Sequence, residues 1–445
     1  HAAIVYGCLA DLEGSAGTTA AALENQGKAL AVFESLARAA PDDADAQEDL
    51  ARALERLGGL LRRMDRTGEA LAAHRRSLDI RQRQAERDSG SASARRALAS
   101  ARRGIGSLWL QLDKGPDAED QYRQALADCE ALAKADPESS QARRDLAIAL
   151  TDQADALMDL HKTADALEAY GRAMDIQARL AQAPGAGATA RRDLAIALAR
   201  VGQGQAMAGQ LDRAGESLSK SLEIHRSLLA AAPEDAERRR DVAVTSFRLG
   251  GVHAAAGRLE PAEACYAEAV ELYAALAAKS ADVTGAHDLS VALNRLGDVQ
   301  LERNGPAKAA ASYTRSFQAA KAQADAGSDT GRRDSSYACG RLAGASIAVA
   351  DLPRARQWFL QKFAIEAAAA KAAPAQPLWR HDGAATVCSQ VGGGPEAARL
   401  WGLAIEAADA LQRDGLLRGD QKELPSRLRA LASGGPAAPG SRPAP

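Results

Sequence analysis

The chain has 445 residues, 46% of them hydrophobic but only 4% aromatic, with alanine the commonest type. A core this poor in aromatic and β-branched side chains excludes an ordinary all-β or α/β domain and points to helices whose small side chains let backbones approach closely. Fifty-six Lys and Arg against 58 Asp and Glu give a formal net charge of −2, so there is no basic field for nucleic acid or an anionic membrane surface.

From the N-terminus onward, charges interrupt every apolar stretch long before the run of about 20 residues needed to cross a bilayer, so membrane insertion by this segment is not expected. Cys8, Cys129, Cys265, Cys339 and Cys388 are widely spaced with no C-x-x-C. They signal neither a disulfide framework nor a zinc site and are expected to be buried small apolar residues. The chain starts on His1 with no signal-peptide pattern, and residues 1–48 read as a first repeat cut through its first helix.

A period of 48 residues governs the rest. The string ARRDLAIAL occurs at 142–150 and again at 190–198, and its aspartate serves as a marker at Asp49, Ala97, Asp145, Asp193, Asp241, Asp288, Asp334 and Asp382. Repeats therefore start near 49, 97, 145, 193, 241, 288 and 334 and fill 49–381. Within each, apolar residues recur at helical spacing on both sides of a turn, so each unit is a helical hairpin with helices of roughly 20 residues. Gly68, Gly209, Gly257 and Gly305 mark the turns inside hairpins, and Pro41, Pro137, Pro184 and Pro233 the connections between them. A shortened repeat follows at 382–415, then a capping helix at 416–433, and 434–445 has the composition of a disordered tail.

Small residues recur at fixed offsets where close packing admits nothing larger. Gly106, Gly250 and Gly297 are followed after 12 residues by Ala118, Ala262 and Ala309, after four more by Tyr122, Tyr266 and Tyr313, and after three more by Ala125, Ala269 and Ser316. The other units keep this ladder, but the aromatic place holds Gln26, His74 or Leu218 in three of them, and those units are expected to be the loosest packed. Glycine or alanine, then alanine, aromatic and alanine on a helix–turn–helix unit resembles the tetratricopeptide repeat. The resemblance spans about 1–432 and implies an all-α, right-handed α-solenoid of about nine such hairpins, with a 48-residue rather than a 34-residue unit. Residues 6–43 and 398–420 further resemble the ends of the repeat array behind the catalytic domain of some bacterial serine/threonine protein kinases. That implies a parent with an upstream kinase domain and a membrane span; the alternative is a stand-alone scaffold or adaptor with no enzyme domain.

No kinase chemistry lies in this segment, which has no H-R-D loop, D-F-G site or V-A-I-K lysine. The glycine-rich pieces at 185–187 and 392–394 lack the lysine of a phosphate loop, and the seven histidines form no H-x-x-x-H pair, so neither a metal nor another cofactor is expected. The segment is read as non-catalytic.

The candidate binding residues are an arginine two places before the ladder glycine, at Arg56, Arg200, Arg248, Arg295 and Arg341, with Asn294 beside Arg295. In tetratricopeptide arrays the first helices line a concave groove, so a stripe of guanidiniums there would read an acidic protein or peptide bidentately. The opposing reading is that each arginine pairs with Asp or Glu of the adjacent repeat. Arg-Arg-Asp at 143–145, 191–193, 239–241 and 332–334 reads as glue between repeats, with the aspartate on the helix dipole and the arginines on the preceding carbonyls. Self-association is compatible with such an array. The side of a membrane on which the array lies stays open: tethered through an upstream span, or otherwise cytoplasmic.

Overall fold

The computed structural model describes residues 2–15, 19–64, 66–279 and 283–372, with isolated positions beyond 404. The expected shortened repeat, capping helix and tail fall outside these residues. Among the described residues there are helices and no strands.

The sixteen described helices are α1 (Ala2–Ser15), α2 (Thr19–Ala39), α3 (Ala44–Arg63), α4 (Thr67–Arg87), α5 (Ala92–Gln111), α6 (Gly115–Ala135), α7 (Ser140–Asp159), α8 (Thr163–Gln182), α9 (Ala188–Met207), α10 (Leu211–Ala231), α11 (Ala236–Ala255), α12 (Leu259–Lys279), α13 (Val283–Glu302), α14 (Pro306–Asp325), α15 (Asp329–Ala348) and α16 (Leu352–Ala372). Consecutive helices pair as hairpins, and each hairpin packs on the next within its unit. The chain divides into two compact units, His1–Ala231 and Ala232–Pro445.

The five described hairpin turns from α5–α6 to α13–α14 each contain one left-handed residue. Asp113, His161 and Asn304 take φ of 57°, 59° and 57°, and Gly209 and Gly257 take 74° and 70°. The residue after each closes a 6→1 bond to the helix, as in Lys162 N to Leu157 O at 2.8 Å and Gly305 N to Gln300 O at 2.8 Å. Gly68 and Gly305 do not supply this conformation: Gly68 lies inside α4 and Gly305 caps α14. The first helices α3, α5, α7 and α11 start on a side-chain cap, Asp43, Ser91, Ser139 and Asp235, that accepts from backbone N–H groups of the first turn, whereas α9 starts on Gly187 without one.

The ladder is the packing of each hairpin. A β-carbon on Gly106, Gly250 or Gly297 would stand 2.8, 2.9 or 2.4 Å from the ring of Tyr122, Tyr266 or Tyr313, so the ring lies on bare backbone. The alanines at the next place, Ala118, Ala166, Ala214, Ala262 and Ala309, are wholly buried. Two of the three units with a substituted aromatic are closely packed at that place, and His74 in the third is partly buried. Leu218 is 1% exposed and closes on Gly202, while Gln26 is 1% exposed and donates to Ala53 O at 2.8 Å.

Arg-Arg-Asp is glue, but not in the way the helix dipole suggests. The marker aspartate lies five residues beyond the helix start, as Asp145 does in a helix beginning at Ser140, past the turn where the dipole acts. It instead receives the second arginine of the preceding repeat: Arg96 bonds Asp145, Arg144 bonds Asp193, and Arg240 lies 3.2 Å from Asp288. The first arginine turns back to the connection, with Arg143 on Glu138 O at 2.9 Å and Arg239 on Pro233 O at 2.6 Å. Cys129 and Cys339 are buried, and burial pushes both thiols up to about 12. Cys8 is exposed, contrary to expectation, and Cys388 lies outside the described residues.

Candidate functional site: a groove on three first helices

In the first unit, α5, α7 and α9 lie side by side and border an open cavity of about 630 Å³. Its wall carries Arg103, Asp152, Asp155, Asp159, Arg200 and Gln203, and the Tyr122 and Tyr170 rings reach it from the second helices α6 and α8. Asp152, Asp155 and Asp159 occupy successive turns of one face of α7. The same geometry that lays each tyrosine on a small residue aims its hydroxyl past that residue into the groove.

Arg103 bonds Asp152 across the repeat boundary. Tyr170 donates to Asp155, whose other oxygen lies 3.6 Å from Arg200. Burial holds the Asp155 carboxyl above its ordinary value, with the Arg200 charge and the Tyr170 hydrogen bond opposing it. Burial, reinforced by these carboxylates, raises the Tyr122 and Tyr170 phenols, so both stay protonated donors at neutral pH.

The tyrosine, aspartate and arginine recur in the second unit. Tyr313 donates to Asp298, which stands 3.3 Å from Arg341 and 3.7 Å from Arg295. At the N-terminal end Arg56 lies 3.6 Å from Asp11, the same pair of places, beside a smaller cavity of about 250 Å³. Arg56, Arg200 and Arg341 thus each bind the aspartate that follows the small ladder residue of the preceding repeat. This is the opposing reading of the arginine stripe. Arg248 is half-buried on α11, where it opposes the rise of the Tyr273 phenol to about 12. Asn294 is 4% exposed, and its Oδ1 has no hydrogen-bond partner.

The stripe is interrupted where the large groove opens. Two places before the small ladder residue, α5 carries Gly104 and α7 carries Asp152 instead of arginine. That substitution was visible in the sequence and would have located the groove.

Among the described residues no group of three or more His, Cys, Asp or Glu is arranged to hold a metal ion, and no helix is long and apolar enough to cross a membrane.

Neither a protein-family model nor a curated protein matches the sequence. Solved structures do. The chain is similar over 98% of its length to 99% of RapI in its apo form, at 13% identity and a TM-score of 0.52. It is similar over 93% of its length to 52% of PH0952 from Pyrococcus horikoshii, a signal transduction ATPase with a tetratricopeptide repeat sensor, at 13% identity and a TM-score of 0.47. For BtubC from P. vanneervenii the figures are 57% of this chain, 90% of that one, 19% identity and 0.46. The likeness to RapI is one of fold, and with the ladder it makes the described chain an array of tetratricopeptide-like helical hairpins.

Proposed function

We propose that this chain is a non-catalytic scaffold that binds a segment of a partner protein along its first helices, with the α5–α7–α9 groove as the principal site. The observation that carries the reading is the groove itself: an open cavity walled by polar and charged side chains and two tyrosine hydroxyls, on helices fixed by the ladder and by inter-repeat ion pairs. Such a surface offers hydrogen bonds and shape but no closed pocket in which to exclude water for chemistry.

The test is photocrosslinking in cells of the source organism with benzoylphenylalanine at Ser100, on the groove side of α5, or at Lys220, exposed on α10. Discrete protein adducts from position 100 and none from 220 are expected. Equal labelling from both positions, or none from 100, contradicts the reading.

Residues 6–43 and 398–420 support a finer placement, as the interaction region of a bacterial serine/threonine kinase. Translating the frame upstream of His1 tests it: a domain with H-R-D and D-F-G is expected, and a start codon within one repeat length would rule it out.

A further inference from the structure

The groove has a charge preference opposite to the one its arginines suggest. Three carboxylates, Asp152, Asp155 and Asp159, face two guanidiniums, Arg103 and Arg200, and both guanidiniums are already engaged with Asp152 and Asp155 across repeat boundaries. Asp159 makes no hydrogen bond or salt bridge, and it is exposed at the groove. The Gln203 side-chain oxygen is buried at the groove wall with no hydrogen-bond partner. A buried acceptor without a donor is destabilising, and a donor-bearing ligand would relieve it.

The remaining capacity of the site is therefore to accept hydrogen bonds and to neutralise one excess negative charge. Gly104 stands where five other described first helices carry an arginine, so no cation projects into the opening from that place. An acidic side chain entering here would have to displace a carboxylate from Arg103 or Arg200 and would meet Asp159 as well.

We propose that this cavity receives a basic side chain, arginine or lysine, from the partner segment. The proposal rests on the groove reading above and adds the chemistry of what is read there. Charge complementarity selects the occupant: an arginine fork offers donors to both Asp159 and the Gln203 oxygen.

The experiment is selection of a phage-displayed library of random 12-residue peptides on the full 445-residue chain. Recovered peptides are then titrated calorimetrically against wild type, Asp159→Lys, and the groove-filling variants Ser100→Trp and Ser107→Trp, each checked for unchanged helicity. The expected peptides share an arginine or lysine. Changing that residue to glutamine should weaken binding tenfold or more on wild type and by less than threefold on Asp159→Lys, because the two changes remove one interaction. Peptides that lose binding to Ser100→Trp or Ser107→Trp yet carry no common basic residue, or are indifferent to Asp159→Lys, overturn the proposal while leaving the groove in place. Peptides unaffected by the filling variants, or no recovery at all, overturn the groove and the proposal together.

Discussion

Tyr313 donates its hydroxyl to Asp298 at 2.8 Å, from one helix of a hairpin to the other. Because Asp298 also meets Arg341 of the following repeat at 3.3 Å, one tyrosine ties intra-hairpin packing to the joint between hairpins. Tyr170, Asp155 and Arg200 repeat the arrangement in the first unit.

Removing that hydroxyl should matter only where the aspartate is present. Tyr313→Phe leaves Asp298 short of a donor and is expected to cost about 1–2 kcal/mol in a urea titration followed by circular dichroism. Tyr266 faces Gly251 instead of a carboxylate, so Tyr266→Phe should change stability by less than about 0.5 kcal/mol. Equal losses would show that the hydrogen bond contributes nothing particular.

Adjacent glycines should respond with opposite signs. A β-carbon on Gly58 would come 2.4 Å from the His74 ring, whereas Gly59 has no atom within 4 Å. Gly58→Ala is expected to cost about 1–3 kcal/mol through overpacking, and Gly59→Ala to gain about 0.5–1 kcal/mol through helix propensity. Thermal melts of the two variants check this directly.

Two histidines should tilt stability with pH in opposite senses. The hydrogen bond that His287 Nδ1 donates to the Asp334 carboxylate raises the imidazole, so its contribution is complete below the unfolded value near pH 6.5 and is lost as pH rises through the higher folded value. Burial lowers His74, so its contribution is present above pH 6.5 and is lost as pH falls through the lower folded value. His287 holds the place that Arg96, Arg144 and Arg240 hold in other repeats, one bridge from the next marker aspartate. Substituting His287→Arg should therefore abolish the loss above about pH 6.5 while leaving the acid-side loss intact. Urea midpoints at pH 5.5, 6.5 and 8 measure both limbs.

Breaking one inter-repeat bridge should cost little by itself. Arg144 and Asp193 have side chains 39% and 14% exposed, so Arg144→Ala is expected to lose no more than about 1 kcal/mol after solvent screening. The cost should shrink further in 0.5 M salt, and a salt-independent loss would argue that Arg144 acts through packing instead.

The helices were legible because one short ladder recurs at a nearly constant period, and each rung has a single steric cause. Small residues at Gly106, Gly250 and Gly297 admit tyrosine rings, and nothing in another repeat alters that local geometry. The hairpin turns were only half legible: Asp113, His161 and Asn304 take the left-handed conformation that glycine takes at 209 and 257, because the 6→1 bond fixes the backbone whichever residue occupies it. The site was the least legible. Arg56, Arg200 and Arg341 are evident as a stripe, but their partners Asp11, Asp155 and Asp298 lie 45, 45 and 43 residues upstream, and only packing brings each pair together. The informative signal was the break in the stripe at Gly104 and Asp152.

The most direct test of the groove is amide hydrogen exchange of the full chain with and without a peptide recovered by selection. Protection concentrated in α5, α7 and α9, and diminished in Ser107→Trp, is the predicted result. Protection confined to the second helices α6, α8 and α10, with 100–207 unchanged at the groove-lining turns, would contradict the account.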